Sequence, residues 1–296
     1  MATTTYHDWQ VATLDGENLR FSSPGGLTRA LADGFFFVKA PAGFDTSAGD
    51  RFARSFYLPQ GADPYCGFAS WTPDKLDVHE GYYSRDADQT EQFFLEARFW
   101  KEVYPEALVA QAAAMRDFAL GILRAVLSSL EFPPELWDEA TGRCLSSRGM
   151  YHLTFNHFRP NVRSRGLNTH KDSGWVTLLR SIEPGLEVLR NGTWCPIVPM
   201  PGYFIVNFGC AMEILTQHTA TPVAAVAHRV LETPLVPGKA DRFSYALFVD
   251  SSLDETVCPG LFRYRAETGL ELEMSFKTFL DQILTKTYQE GTVGLY

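Results

Sequence analysis

Gly185-Leu186-Glu187-Val188-Leu189-Arg190-Asn191-Gly192-Thr193-Trp194-Cys195-Pro196-Ile197-Val198 reads as a β-hairpin. Two short runs rich in branched and aromatic residues flank Asn191-Gly192, the dipeptide best suited to the two positive-φ positions of a type I′ turn. Toward the C-terminus, further strands are expected at Tyr203–Phe208, Glu213–Leu215, Ala227–Leu231 and Phe243–Val249. Toward the N-terminus lie Trp175–Leu179 and an alternation of Tyr151, Leu153 and Phe155 with His152, Thr154 and Asn156. About eight short strands parted by turns, with no helix between them, predict a double-sheet jelly roll and not a parallel α/β sheet.

The flanks read differently. Before residue 148 the chain is expected to be mainly helical around one early strand, Phe35–Val38, that follows a helix over Leu27–Ala32 ended by Gly34. Between Pro105 and Leu130 the residues Leu108, Ala112, Met115, Ala119, Ile122 and Val126 recur at three- and four-residue steps, one apolar stripe of a long helix. After residue 250 a helix is expected over Ser275–Tyr288. No repeat or linker divides the chain, so one domain over 1–296 is expected, with a helical N-terminal segment (1–147), a jelly-roll core (148–250) and a helical C-terminal segment (251–296). The fold class is mainly β with flanking helices (α+β). With 45% hydrophobic and 14% aromatic residues among 296, the chain can bury one large core.

Charge and cysteine usage narrow the function. A formal net charge of −9 and a pI near 5.3, without a dense Lys/Arg cluster, make nucleic acid an unexpected partner. Five scattered cysteines without a C-x-x-C pair fit neither a disulfide framework nor a structural zinc site, and suit a reducing compartment. The first ten residues lack the basic start and apolar run of a signal peptide, and no apolar stretch approaches bilayer-spanning length. The expectation is a cytoplasmic protein, monomer or homodimer, acting on a small molecule.

The chemistry concentrates in Asn168-Thr169-His170-Lys171-Asp172-Ser173-Gly174-Trp175. Residues two apart on a strand share a face, so His170 and Asp172 are expected to project together while Lys171 points away. One imidazole and one carboxylate can occupy adjacent positions on a metal. With His228 they would make the 2-His-1-carboxylate set that suits non-haem Fe(II) and leaves positions open for small-molecule ligands.

Over about eighty residues the order and spacing of motifs resemble the 2-oxoglutarate/Fe(II)-dependent dioxygenases, in the branch related to isopenicillin N synthase. The residues that carry the resemblance are His170-Lys171-Asp172-Ser173-Gly174, Gly185-Leu186-Glu187-Val188, Pro201-Gly202 through Val206-Asn207-Phe208-Gly209, Met212-Glu213-Ile214, His228-Arg229-Val230 and Arg242-Phe243-Ser244. The resemblance implies a double-stranded β-helix core, iron at His170, Asp172 and His228, and 2-oxoglutarate at Arg242 and Ser244, with Asn156 toward the metal-proximal end. It implies oxidation of a small organic molecule by Fe(II), 2-oxoglutarate and O₂, hydroxylation by default and desaturation or cyclisation as variants. The chain departs from the pattern at Lys171, where relatives carry a small residue, at Phe158, where many carry a tyrosine, and at Cys210, where many carry an aspartate.

Candidate substrate-facing residues are Tyr82 and Tyr83, in a polar segment His79–Thr90 expected to act as a lid, together with Arg98, His157 and Trp175. Two rival readings stand beside the leading one. The first is an oxidase or cyclase of the same fold that does without 2-oxoglutarate and uses Arg242 and Ser244 for a substrate carboxylate. The second is a non-catalytic metal-binding jelly-roll protein.

Overall fold

The structure is a computed structural model and describes residues 8–76, 78–84, 88–130, 132–276, 278–279 and 282–283. Among these residues the strands form three sheets. The largest runs β2 (Asn18–Phe21), β1 (Val11–Asp15), β3 (Phe35–Lys39), β11 (Tyr203–Phe208), β8 (Val176–Ser181), β13 (Arg242–Asp250), β6 (Met150–Phe158), β5 (Thr90–Glu96), β4 (Gly81–Ser84). Its pairs are antiparallel except β1 with β3. The second runs β10 (Thr193–Pro196), β9 (Leu186–Arg190), β12 (His228–Val230), β7 (Leu167–His170), and the third is the hairpin β14 (Leu261–Arg265) with β15 (Gly269–Met274).

Side-chain parity explains how two cores arise from one large sheet. On β3, Phe35 and Phe37 pack with Leu186 and Val188 of β9, Ile205 of β11 and Val230 of β12, filling the space between the two main sheets. Phe36 and Val38 point the other way, into the core shared with the helix Glu106–Ser129. That helix buries Leu108, Ala112, Met115, Ala119, Ile122, Leu123 and Val126 completely. Each Leu-sized side chain so buried contributes about 1.5–3 kcal/mol, so the helix is fastened by packing more than by propensity. β13 obeys the same rule. Phe243, Tyr245, Leu247 and Val249 enter the helix-side core, which turns Arg242, Ser244, Ala246, Phe248 and Asp250 toward the inside of the roll.

The hairpin at Asn191-Gly192 forms as expected, with φ of 49° and 75° at its two turn residues and antiparallel pairing of Leu189 with Trp194. The mainly β class and the jelly-roll core also stand. Four expectations need correction. The N-terminal segment up to residue 147 sets its helices around more than one strand: it supplies β1 to β5 to the large sheet. Glu213–Leu215 is not a strand but lies within the helix Cys210–Thr216, a short apolar run whose period a sequence cannot resolve. The polar segment His79–Thr90 is not simply a loop, because β4 pairs with β5 along the sheet edge. The C-terminal segment from residue 251 is not only helical, since it carries the β14–β15 hairpin. Much of the expected helix Ser275–Tyr288 lies outside the described residues; within them Phe276 and Phe279 are helical and buried. Among the described residues no helix is long and apolar enough to cross a membrane.

Candidate active site

β12 and β7 pair so that His228 stands directly opposite His170. Directly opposed residues of an antiparallel pair bring their side chains together, and the two imidazole rings lie 4.2 Å apart, centre to centre. Each ring is fixed by its own backbone: Nδ1 of His170 contacts the carbonyl of Asn168 at 2.8 Å, and Nδ1 of His228 that of Val226 at 3.1 Å. A carbonyl only accepts, so Nδ1 carries the proton and the ring's lone pair lies on Nε2. Both Nε2 atoms face one carboxylate oxygen, Asp172 Oδ1, at 3.7 Å and 3.6 Å.

Asp172 itself lies just past the end of β7, so strand parity alone does not place it. The loop is held by the helix that follows Gly209. The amides of Cys210 and Ala211 donate to the carbonyls of Asp172 and Ser173 at 2.8 Å and 2.9 Å. The two backbones approach so closely that a Cβ on Gly209 would stand 2.2 Å from the carbonyl oxygen of Gly174, which admits only glycine there. Thr177 of β8 completes the brace, its hydroxyl donating to Asp172 Oδ2 at 2.7 Å.

The donor set therefore suits a first-row divalent cation. One ligand atom from each of His170, Asp172 and His228 lies within 4.8 Å of the others, and two neutral imidazoles with one carboxylate match the facial triad of non-haem iron. With both Nε2 atoms 3.6–3.7 Å from Asp172 Oδ1, the three side chains are close enough together to share one such ion. The Thr177 brace gives a first prediction. Thr177→Val keeps the shape but removes the hydrogen bond that orients Asp172, so metal affinity is expected to drop about 10–100-fold. Competition titration against a coloured chelator checks this, with wild-type affinity as the contrary result.

A second polar group lies along the inward row of β13. Arg242 is only 4% exposed. Its Nε donates to the Pro184 carbonyl at 3.1 Å, its guanidinium lies 4.3 Å over the Phe158 ring, and its Nη1 is buried without a hydrogen-bond partner. Burial draws its pKa down to about 10, partly opposed by the nearby Glu183 carboxylate, so it remains cationic at neutral pH. A buried donor left unmatched costs about 1–3 kcal/mol, and an arriving carboxylate oxygen removes that cost. Ser244, two residues along the same face, is buried beside Asn156 of β6 and Ser181 of β8 in the strand register. Asn207 is a further buried residue with an unmatched acceptor, Oδ1; it stands across from Thr177 in the β11–β8 register.

Beside the triad opens a cavity of about 380 Å³, within the range of small-molecule sites. Phe94, Phe248, Leu261, Phe276 and Phe279 form much of its apolar wall, with His170 and Asp172 at one end. Asn156 reaches it, its Oδ1 accepting from Gln92 Nε2 at 2.6 Å. Arg98 also reaches it, more than half exposed and paired with Glu80 and Glu96 at 3.6 Å and 3.7 Å.

The other expected substrate residues do not line it. Trp175 is fully buried, its Nε1 donating to Ser251 Oγ at 3.0 Å. His157 points out of the roll, flat against Tyr57 at 3.7 Å, between Glu91 and Asp241. Tyr82 shares that outer face and donates to Glu91. Tyr83 stacks on Phe94 and so backs the cavity wall from behind. Lys171, expected to point away, also touches the cavity, with its ammonium held by Glu213 at 2.9 Å.

Sequence reasoning missed Asp250 and His152, both on the cavity wall. Burial pushes the Asp250 carboxyl up to about 7, the neighbouring Asp172 adding to it and a Ser173 hydrogen bond opposing it. Burial, with a smaller push from Arg98, lowers His152 to about 4 and leaves it neutral at pH 7. The signal was available: Asp250 has the parity of Arg242 and Ser244, and His152 that of Asn156.

Comparison with known proteins agrees with this geometry. The family model of the 2OG-Fe(II) oxygenase superfamily matches residues 150–251, which span β6 to β13 and include the triad, Arg242 and Ser244. An oxoglutarate-dependent flavonoid 7-O-demethylase of Ocimum basilicum is 28% identical over 170 residues, 56% of this chain and 42% of the relative. Thebaine 6-O-demethylase of Papaver somniferum is 35% identical over 116 residues, 38% of this chain and 30% of that one. The chain thus spans less than half the length of these two curated relatives. Among solved structures, a rice dioxygenase for auxin oxidation superposes with a TM-score of 0.65 over 94% of this chain and 96% of that one, at 22% identity, which establishes a shared fold.

Proposed function

We propose that this chain, whose residues 150–251 match the family model of the 2OG-Fe(II) oxygenase superfamily, is a non-haem Fe(II) enzyme that uses 2-oxoglutarate and O₂ to oxidise a small organic molecule. The observation that carries the reading is the single carboxylate oxygen of Asp172 faced by two imidazole Nε2 atoms whose opposite nitrogens are tied to the backbone.

In this reading His170, Asp172 and His228 hold the metal, and Thr177 keeps Asp172 turned toward it. When bound, Fe(II) would activate O₂, one oxygen atom of which goes to succinate as 2-oxoglutarate loses CO₂ and the other to the oxidised substrate. Arg242 grips the distal carboxylate of 2-oxoglutarate through the buried Nη1 that nothing else occupies, and Ser244 adds a hydroxyl. Asn156, its amide anchored by Gln92, stands toward the metal-proximal end. The apolar wall of Phe94, Phe248, Phe276 and Phe279 excludes water from the reacting carbon. Hydroxylation is the default outcome. The chain is read as one domain with a small-molecule substrate in the cytoplasm.

The orphaned Arg242 donor favours this reading over a non-catalytic metal-binding protein, which has no use for a buried donor left unmatched. Binding of 2-oxoglutarate, measured by calorimetry with and without a divalent metal, tests it. Metal-dependent binding, together with succinate formation in air, is expected. Metal-loaded protein that ignores 2-oxoglutarate yet consumes O₂ with a substrate would favour the oxidase reading instead.

A further inference from the structure

We propose that the cavity beside the triad takes an aromatic or aliphatic molecule carrying a protonated amine, held by Asp250 with His152 as a second polar contact. The inference rests on the reading of this cavity as the substrate site. It starts from the charges that line it. Among the described residues two cations reach the cavity, and both are already committed: Lys171 to both carboxylate oxygens of Glu213 at 2.9 Å and 3.1 Å, and Arg98 to Glu80 and Glu96. Two carboxyl groups of the described residues reach it besides the metal-side Asp172, namely those of Glu80 and Asp250. Glu80 is occupied by Arg98 and by the backbone amide of Glu96 at 2.6 Å. Among the described residues Asp250 has no basic partner. Its carboxyl meets the Ser173 hydroxyl and the backbone around Gly174.

The rest of the wall mixes phenyl and aliphatic side chains with the neutral polar groups of Gln92, Thr154, Asn156 and Ser251, so a ligand finds one acidic group that has no basic partner among the described residues. A carboxylate-bearing ligand would meet Asp250 with no uncommitted cation among the described residues to offset it. An ammonium would gain a charge-assisted hydrogen bond in a partly desolvated site. The register places His152 to share the grip. Asp250 stands opposite Met150, and His152 opposite Phe248, so Asp250 and His152 are diagonal neighbours on one face, roughly 7–8 Å apart at the backbone and within reach of one bound group. Phe248, between them on that face, gives the ligand's ring a surface and the ammonium a π-face.

The test uses three probes with one ring system and different charge: tryptamine, tryptophol and indole-3-acetate. Their affinities are measured by calorimetry for the full chain loaded with redox-inert Mn(II) and 2-oxoglutarate, and again for the metal-free chain. Tryptamine is expected to bind at least about ten-fold more tightly than either other probe. In Asp250→Asn the preference should shrink below about three-fold, with Mn(II) and 2-oxoglutarate binding measured in the same samples. Equal affinities, a preference for the acid or the alcohol, or no binding of any probe overturns the proposal. If Asp250→Asn fails to fold, the wild-type ranking decides alone. Loss of the metal-centre reading has its own signature, absence of Mn(II) or 2-oxoglutarate binding, and in that case the metal-free ranking still decides the amine preference.

Discussion

Asp172→Ala is expected to lose more than a hundred-fold in Fe(II) affinity and to show no turnover above background, while remaining folded. Among the described residues the Asp172 carboxylate is the acidic group grouped with the two imidazoles, so its removal leaves two histidine ligands and no charge to offset a dication. Removing an outer partner of a metal ligand typically costs about 10–100-fold, and removing the charged ligand itself must exceed that. The fold should survive because the loop is held by backbone bonds from Cys210 and Ala211, which the substitution leaves in place. The metal-free variant should be no less stable than wild type, since a buried carboxylate is costly when no cation is present. The distinguishing measurement is the rise in Tm on adding Fe(II) without oxygen. A cation at a hundred times its Kd stabilises the native state by about 2.7 kcal/mol, and that rise should vanish in Asp172→Ala. A wild-type shift in the variant would show that the metal sits elsewhere.

The same residues show what a sequence can display. The convergence of His170 and Asp172 was legible as two positions of equal parity, although the strand that justified the argument ends at His170. What holds Asp172 in place is the helix starting at Cys210, and the sequence suggested a strand there because Glu213–Leu215 is too short to reveal a period. His157 was decidable: it adjoins Asn156 on β6, and neighbours on a strand cannot both face the inside. The hairpin of β14 and β15 was also written plainly, with Phe262 and Tyr264 alternating with Arg263 and Arg265, and Leu270 and Leu272 alternating with Glu271 and Glu273. β5 was harder to see, because its buried residues include Thr90, Glu91 and Gln92. Gln92 and Glu91 are buried to meet partners on another segment, Asn156 and His157. Such pairings exist only once the chain has folded, and no local pattern announces them.

For Arg242→Gln the expected result is a Michaelis constant for 2-oxoglutarate raised about 10–100-fold, with metal affinity unchanged. Glutamine keeps a donor but removes the charge, and hydrogen bonds to charged groups contribute about 1.5–3 kcal/mol. The site makes the charge count. The guanidinium is buried, tied to the Pro184 carbonyl by Nε and set over Phe158, with Nη1 unmatched. An anion that reaches Nη1 therefore meets a preorganised cation with little water to screen it. Phe158 supplies a ring face and no hydroxyl, so Arg242 carries a larger share of the grip than it would beside a tyrosine. Ser244→Ala removes a neutral contact worth about 1 kcal/mol and should cost only about five-fold. Succinate formed against 2-oxoglutarate concentration, for wild type and both variants, ranks these effects. If Arg242 instead holds a carboxylate of the primary substrate, Arg242→Gln will raise the Michaelis constant for that substrate and no succinate will form in any of the three proteins.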